Sequence, residues 1–338
     1  FPEEPLFGYG RGGYTVEEIR ELVAFGKILG VTLFPCIQTL GHLEQILKFP
    51  KFQHLKDNEY IGNVYKEEFY DLLDRMIDSV TSLFDTNLIH IGMDETHGLA
   101  RGSAFKENEP INPRMVYLKH LNRIVKMCES KDLKPMMWGD IIMGTTVGET
   151  QMSEEEMALV PKEVVVDYWD YHQCDEEIYE KHLSAIVSKG YEAVVSPGAW
   201  CWTRFFPSYE KASKNIITLL NSAKKVGIHG AMTTQWGDDG HECLFDYNIP
   251  ANALFLTVCV EDNDYEEIAK QKVKTFFGAD YDLLVHLSRI DDLGEKSETL
   301  SAPNIGKCLV YEDPVTALVS GCENFGQVQD YYLSLIHI

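Results

Sequence analysis

Asp94 and Glu95 stand side by side at the end of Asn87-Leu88-Ile89-His90-Ile91-Gly92-Met93, so an apolar run stops abruptly on two carboxylates. Leu88, Ile89 and Ile91 suit a strand covered on both faces, and Gly92 leaves room for close approach to the backbone. The carboxyl end of such a strand is where an α/β barrel keeps its chemistry. An Asp-Glu pair in an acidic chain is commonly a solvated turn, but few solvated turns follow directly on a buried strand. The tryptophans make a second pattern. Trp138, Trp169, Trp200, Trp202 and Trp236 all fall at the ends of short apolar runs. Barrel interiors are filled mainly by branched aliphatic residues, so core packing is a poor account of all of them together. Indole faces offer large rigid apolar area with a polar N–H at the edge, which suits a sugar ring or a small enclosed acyl group. Carboxylates beside such walls can bind sugar hydroxyls. Burial can also raise the pKa of one carboxylic acid enough for general-acid work near neutral pH.

The elements that would position these residues alternate regularly. Thr15 to Leu29 reads as an amphipathic helix with Thr15 as N-cap and Gly30 past its end. The run 31–37 reads as a strand, Lys66 to Leu83 as a helix, and the strand ending at Asp94-Glu95 follows. Met115 to Cys128 is expected to be helical, Pro135 to Asp140 a strand, and Val164 to Asp170 a strand. Ile178 to Ser188 is then a helix, Ala193 to Ser196 a strand, Tyr209 to Val226 a helix, Ile228 to Trp236 a strand and Pro250 to Val260 a helix. Strands alternating with helices build either a doubly wound parallel sheet or a (β/α)8 TIM barrel. No G-x-G-x-x-G follows a strand, so dinucleotide binding has little support and no cofactor is implied. Acidic and aromatic residues recur at strand after strand end, which favours the barrel, because its strand ends converge on one mouth. Asp238-Asp239-Gly240-His241-Glu242 lacks an established ligand spacing and suits a turn, so no metal is expected there.

The chain has 338 residues, 45% hydrophobic and 25% charged, enough for one large α/β domain. Its net charge of -23 argues against nucleic acid or an anionic membrane as partner and fits a neutral or cationic small substrate better. Eight scattered cysteines without C-x-x-C spacing read as reduced thiols, pointing to a reducing, cytoplasmic compartment. The first residue is Phe1, and the opening segment looks like a loop entered from an upstream strand. About six strands are visible, so a barrel lacking its first strands is expected over residues 1–260. Residues 261–332 are expected to form a helical C-terminal segment, with 294–307 a loop. The last six, 333–338, match a peptide encoded by a sequencing adapter and are expected to be an assembly artefact.

His90-Ile91-Gly92-Met93-Asp94-Glu95 resembles the H-x-G-G-D-E signature of family 20 glycoside hydrolases, the exo-β-N-acetylhexosaminidases, with Met93 in place of the second Gly. Gln38-Thr39-Leu40-Gly41-His42 resembles that family's loop after the third strand. Trp138-Gly139-Asp140, Trp169-Asp170-Tyr171 and Trp236-Gly237-Asp238 follow its later strand ends in order, most closely in the hexosaminidase D-like branch. The resemblance implies substrate-assisted retaining hydrolysis, an exception to the two-carboxylate scheme. It implies Glu95 as acid and base, Asp94 as the group orienting the acetamido N–H, and His42 as a hydrogen-bonding partner of the acid region. It further implies Trp138, Trp169, Trp202 and Trp236 as walls of the sugar site, and Asp238 as a binder of sugar hydroxyls. Tyr171 is the candidate donor to the acetamido oxygen, although Trp200-Cys201-Trp202 departs from the pattern where many relatives carry that Tyr. The Arg that relatives carry on the first strand has no counterpart.

Three readings stay open. The first is an exo-acting β-N-acetylhexosaminidase for terminal N-acetylglucosamine, with N-acetylgalactosamine ends as a further option. The second is a retaining glycosidase with two carboxylates and Asp140, Asp170 or Asp238 as nucleophile. The third is a sugar-binding or inactive fragment without turnover.

Overall fold

The computed structural model describes residue 1 and residues 4–107, 112–146 and 148–291. The chain divides into two compact units, Phe1–Trp169 with Ser184–Val194, and Asp170–Leu183 with Val195–Ile338. Segments 294–307 and 333–338, and the part of 261–332 beyond Asp291, lie outside the described residues.

In the first unit, α1 (Val16–Ile28) begins at Thr15, whose hydroxyl accepts from the Glu18 N–H while the Glu18 carboxylate takes the Thr15 N–H. This reciprocal cap satisfies two donors that a helix start otherwise leaves unpaired. Of the apolar positions on α1 only Val23 is buried, and Leu22, Phe25 and Ile28 stay exposed. Helix α2 (Glu67–Thr81) buries Phe69, Leu72, Leu73, Met76 and Ile77, each a side chain worth about 1.5–3 kcal/mol when fully withdrawn from water. Strand β1 (Leu88–His90) follows, then α3 (Pro113–Glu129), β2 (Lys134–Trp138) and β3 (Val165–Tyr168). All of β3 is buried, as a parallel strand covered on both faces should be.

β1, β2 and β3 pair in parallel, with His90 opposite Met136 and Trp138 opposite Asp167. Side chains alternate faces along a strand, so this register puts His90, Trp138 and Asp167 on one face. The Val166 N–H donates to Glu192 beside β4 (Ala193–Val195). The expected strand over 31–37 is reduced to one parallel bridge, Cys36 with His90, flanked by the bonds His90 N–H to Pro35 and Ile37 N–H to His90. Pro35 has no N–H to extend the ladder.

In the second unit, α5 (Tyr209–Val226) matches its predicted bounds and closes on Gly227 in the left-handed region; α4 (Glu176–Val187) precedes it in the chain. The expected strand over 228–236 is shorter, β5 (Gly230–Ala231). Single bonds continue its pairing, from Met232 to Val195, Thr234 to Pro197 and Ala199 to Thr234. Helices α6 (Ile249–Val260), α7 (Tyr265–Phe277) and α8 (Tyr281–Leu287) end the described chain.

The strand order is β1-β2-β3-β4-β5, each strand next to its successor. A doubly wound sheet reverses its order at a switch point, and this one does not. The fold is therefore a partial (β/α) TIM barrel.

One buried histidine ties α3 to the loop after Cys36. His120 is fully buried, with Nδ1 3.0 Å from the Tyr70 hydroxyl and Nε2 3.1 Å from the Thr39 carbonyl. Burial pushes its pKa down to about 3, so the ring stays neutral. The Thr39 hydroxyl in turn donates to the Ile91 carbonyl at 2.7 Å, fastening this loop to the end of β1. His120→Phe strands the Tyr70 and Thr39 groups. A loss of about 1–3 kcal/mol is expected in urea unfolding.

Candidate active site

Backbone past β1 bends sharply. Gly92, Met93 and Glu95 have φ of 71°, 80° and 46°. For Met93 and Glu95 this left-handed geometry costs on the order of 1–3 kcal/mol each, and persists only where neighbours hold it. Here the neighbours are identifiable. The buried Tyr117 hydroxyl of α3 donates to the Met93 carbonyl at 3.2 Å. The Glu95 N–H donates to Asp140 Oδ2 at 2.9 Å. A Cβ on Gly92 would lie 2.0 Å from Gln38 Oε1, so the turn needs glycine for space as well as for φ.

Asp94 is held at both oxygens. The Gln38 side-chain amide donates to Oδ1 at 2.8 Å, and His42 Nε2 lies 3.3 Å from Oδ2. The same His42 Nε2 is 3.6 Å from Glu95 Oε2. Hydrogen bonding to Asp94 is the main cause that raises the His42 pKa to about 9, so the ring is an imidazolium at neutral pH. That cation counters the repulsion between the two adjacent carboxylates. Asp94 and Glu95 are both partly open to solvent.

Beneath the turn, His90 accepts the Gly92 N–H at Nδ1, 3.1 Å, and its Nε2 lies 3.5 Å from the buried Asp167 carboxylate. Trp138 is buried and packs against His90 with ring centroids 4.2 Å apart. Trp169 is buried as well, and its carbonyl accepts from the Thr145 hydroxyl at 3.2 Å.

Of the other expected site residues, Tyr171, Trp202, Trp236 and Asp238 belong to the second unit. The Tyr171 hydroxyl accepts from Trp236 Nε1 at 2.9 Å and from the Thr234 hydroxyl at 3.0 Å. Its ring lies 4.9 Å from that of Trp202, which stacks on Trp200 at 4.7 Å. A Cβ on Gly198 would meet Trp202 at 2.6 Å and Tyr171 at 3.0 Å, so glycine is what lets these rings close up. Asp238 is exposed, in a turn whose carbonyl accepts the Thr203 N–H.

The profile of glycosyl hydrolase family 20, catalytic domain, matches residues 8–243, which include the turn, the His42 loop and the tryptophan cluster. The chain belongs to glycosyl hydrolase family 20. Hexosaminidase D of Bos taurus is 26% identical over 286 residues, 78% of this chain and 81% of that relative. Hexosaminidase D of Homo sapiens is 24% identical over 321 residues, 86% of this chain and 62% of the human protein. Two solved structures share the fold. A β-N-acetylhexosaminidase from Bacteroides fragilis aligns with a TM-score of 0.57 at 19% identity, over 79% of this chain and 57% of its own. An exo-β-N-acetylglucosaminidase from Vibrio harveyi aligns with a TM-score of 0.57 at 18% identity, over 78% of this chain and 45% of its own. The family 20 chain thus spans well under two thirds of these two structures and just under two thirds of the human relative.

Three residues around this turn carry more than their sequence pattern signals. Gln38 was visible only as part of a motif, and its hold on Asp94 needs two loops brought together. Asp167 sits in an otherwise apolar strand, a signal for a buried partner, and His90 is that partner. The carboxyl that burial raises is Asp140, at the first position of the short helix Asp140–Met143. No described helix is long and apolar enough to cross a membrane.

His42 offers a direct electrostatic test. By NMR its ring should titrate near 9 and fall toward 6.5 in Asp94→Asn, which removes the largest cause of the shift. Because the folded value is the higher one, His42 stabilises the fold fully below about pH 6.5. That contribution is lost as pH rises through about 9.

Proposed function

We propose that the protein is an exo-acting retaining β-N-acetylhexosaminidase, removing terminal N-acetylglucosamine, and N-acetylgalactosamine as a second substrate, by substrate-assisted catalysis. The observation that carries this reading is Asp94, anchored at both oxygens by Gln38 and His42, directly beside a solvent-accessible Glu95. A carboxylate fixed in this way is suited to orienting a neutral N–H donor and to balancing developing positive charge.

The steps follow from that assignment. Glu95 gives its proton to the glycosidic oxygen as the bond from that oxygen to the anomeric carbon breaks. The 2-acetamido oxygen forms the new bond to the anomeric carbon, and Asp94 accepts from the acetamido N–H while the oxazolinium-like ring carries positive charge. Glu95 then takes a proton from water, whose oxygen attacks the anomeric carbon and reopens the ring with net retention. His42 contributes a fixed positive charge beside both carboxylates. Tyr171 is the proposed donor to the acetamido oxygen, its hydroxyl fixed by Trp236 and Thr234. Trp169, Trp202 and Trp236 are proposed sugar walls and Asp238 a hydroxyl ligand. Trp138 is proposed as the base of the acetamido wall, held in place by His90.

The reading with two carboxylates finds less support. Asp140 is fully buried and bonded to a backbone amide. Asp170 accepts the N–H groups of His172 and Gln173 at 3.1 Å and 3.0 Å, both on Oδ1, in a local turn.

The purified protein should release nitrophenol from the β-N-acetylglucosaminide and not from the plain β-glucoside, and a thiazoline mimic of the cyclic intermediate should inhibit it tightly. Glu95→Gln should lower kcat by about 10²–10⁴-fold. Equal rates on both glycosides would defeat the acetamido mechanism. Sugar binding without turnover in wild type and variant alike would leave a binding protein instead.

A further inference from the structure

Asp140 is a fully buried carboxyl beside the turn, and its surroundings are specific. It follows β2 and opens the short helix Asp140–Met143, where its side chain is fully buried. Oδ2 accepts the Glu95 N–H at 2.9 Å, while Oδ1 is buried with no hydrogen-bond partner. An ionised carboxylate in that position would keep a charge out of water with half its acceptor capacity unused, a cost of several kcal/mol. Glu95 is also one of the few non-glycine residues with left-handed backbone, and Asp140 is what meets its amide.

We propose that Asp140 is a positioning residue for Glu95, bracing the strained backbone of the catalytic acid through its amide, and that it does so as the neutral carboxylic acid. This rests on the hexosaminidase reading for the role of Glu95 and extends it to a residue outside the reacting set. Burial, followed by the negative charge of Asp94, pushes the Asp140 pKa up to about 8, so the neutral form prevails through the physiological range. Groups facing it come from three sides. Asp94 and Glu95 lie on the turn, the buried Tyr117 hydroxyl belongs to α3, and Glu149 acts on that Tyr117 from the loop after the short helix. The counter-charge is His42, which meets Asp94 and Glu95 directly. Ionising Asp140 would therefore add a second buried negative charge behind the pair and make proton donation by Glu95 harder.

Asp140→Asn copies the neutral acid in shape and keeps an oxygen for the Glu95 N–H. Asp140→Ala removes the brace. With nitrophenyl β-N-acetylglucosaminide, wild-type kcat/KM should fall about tenfold more from pH 7 to pH 9 than that of D140N, whose remaining loss is set by Glu95 and His42. D140A should lose about 10–100-fold in kcat at pH 6 with KM within about threefold, the signature of a misplaced acid rather than a lost ligand. Stability gives an independent reading. Between pH 4 and pH 8 the folded chain retains a proton on Asp140 that the unfolded chain releases, so the Asp140 contribution to stability falls with rising pH and is gone above about 8, on top of the His42 contribution that is lost through about 9. D140N should lack that slope in thermal melts. Superimposable pH profiles, or D140N folded yet dead at every pH, would overturn the proposal. Parallel stability curves would overturn it whatever activity shows. Inactive wild type with a slope that vanishes in D140N would retire the hexosaminidase reading and keep Asp140 as the neutral brace.

Discussion

The turn from Gly92 to Glu95 is bent into left-handed backbone and held there from several directions at once: the Tyr117 hydroxyl on the Met93 carbonyl, Asp140 on the Glu95 amide, and Gln38 and His42 on the Asp94 carboxylate. Such geometry survives only when the surroundings over-determine it. Much of the first unit serves that end. Helix α3 supplies Tyr117 and His120, β2 delivers Asp140, and the loop after Cys36 supplies Gln38 and His42. The bend itself turns Asp94 and Glu95 out of the strand direction, so that two consecutive side chains meet one partner, His42, instead of pointing to opposite faces of a sheet.

Charge around this turn is arranged in layers. Outermost are Asp94 and Glu95 with the His42 imidazolium between them, balanced and partly solvated. Burial pushes the Asp140 pKa up toward the neutral form, and His90 and Asp167 lie buried 3.5 Å apart. Buried charges persist only when paired or neutralised, and each of these devices is in use here.

Element types were largely legible in the sequence, because periodicity reports amphipathic faces directly. The capping box of Thr15 and Glu18 and the span of α5 needed only local chemistry. What periodicity could not report is the covering of a face. Leu22, Phe25 and Ile28 on α1 fit a helical stripe and yet remain exposed, whereas the apolar face of α2 is buried. The strands expected over 31–37 and 228–236 shrink to bridges and short pairs because Pro35 and Pro197 withhold a donor from the ladder.

From the sequence alone came the alternation of strand and helix, the acidic pair after an apolar run, and the ordered motifs that mark family 20. These depend on neighbours along the chain, on side-chain period and on residue type. Tertiary structure decided which groups meet Asp94, which carboxyl is stripped of water, and that His42 stands between the pair rather than beside one member. Gln38 lies 56 residues from Asp94 and Asp140 lies 45 from Glu95. Protonation states follow from burial and from charges a few ångströms away, and both arise only when distant segments pack together.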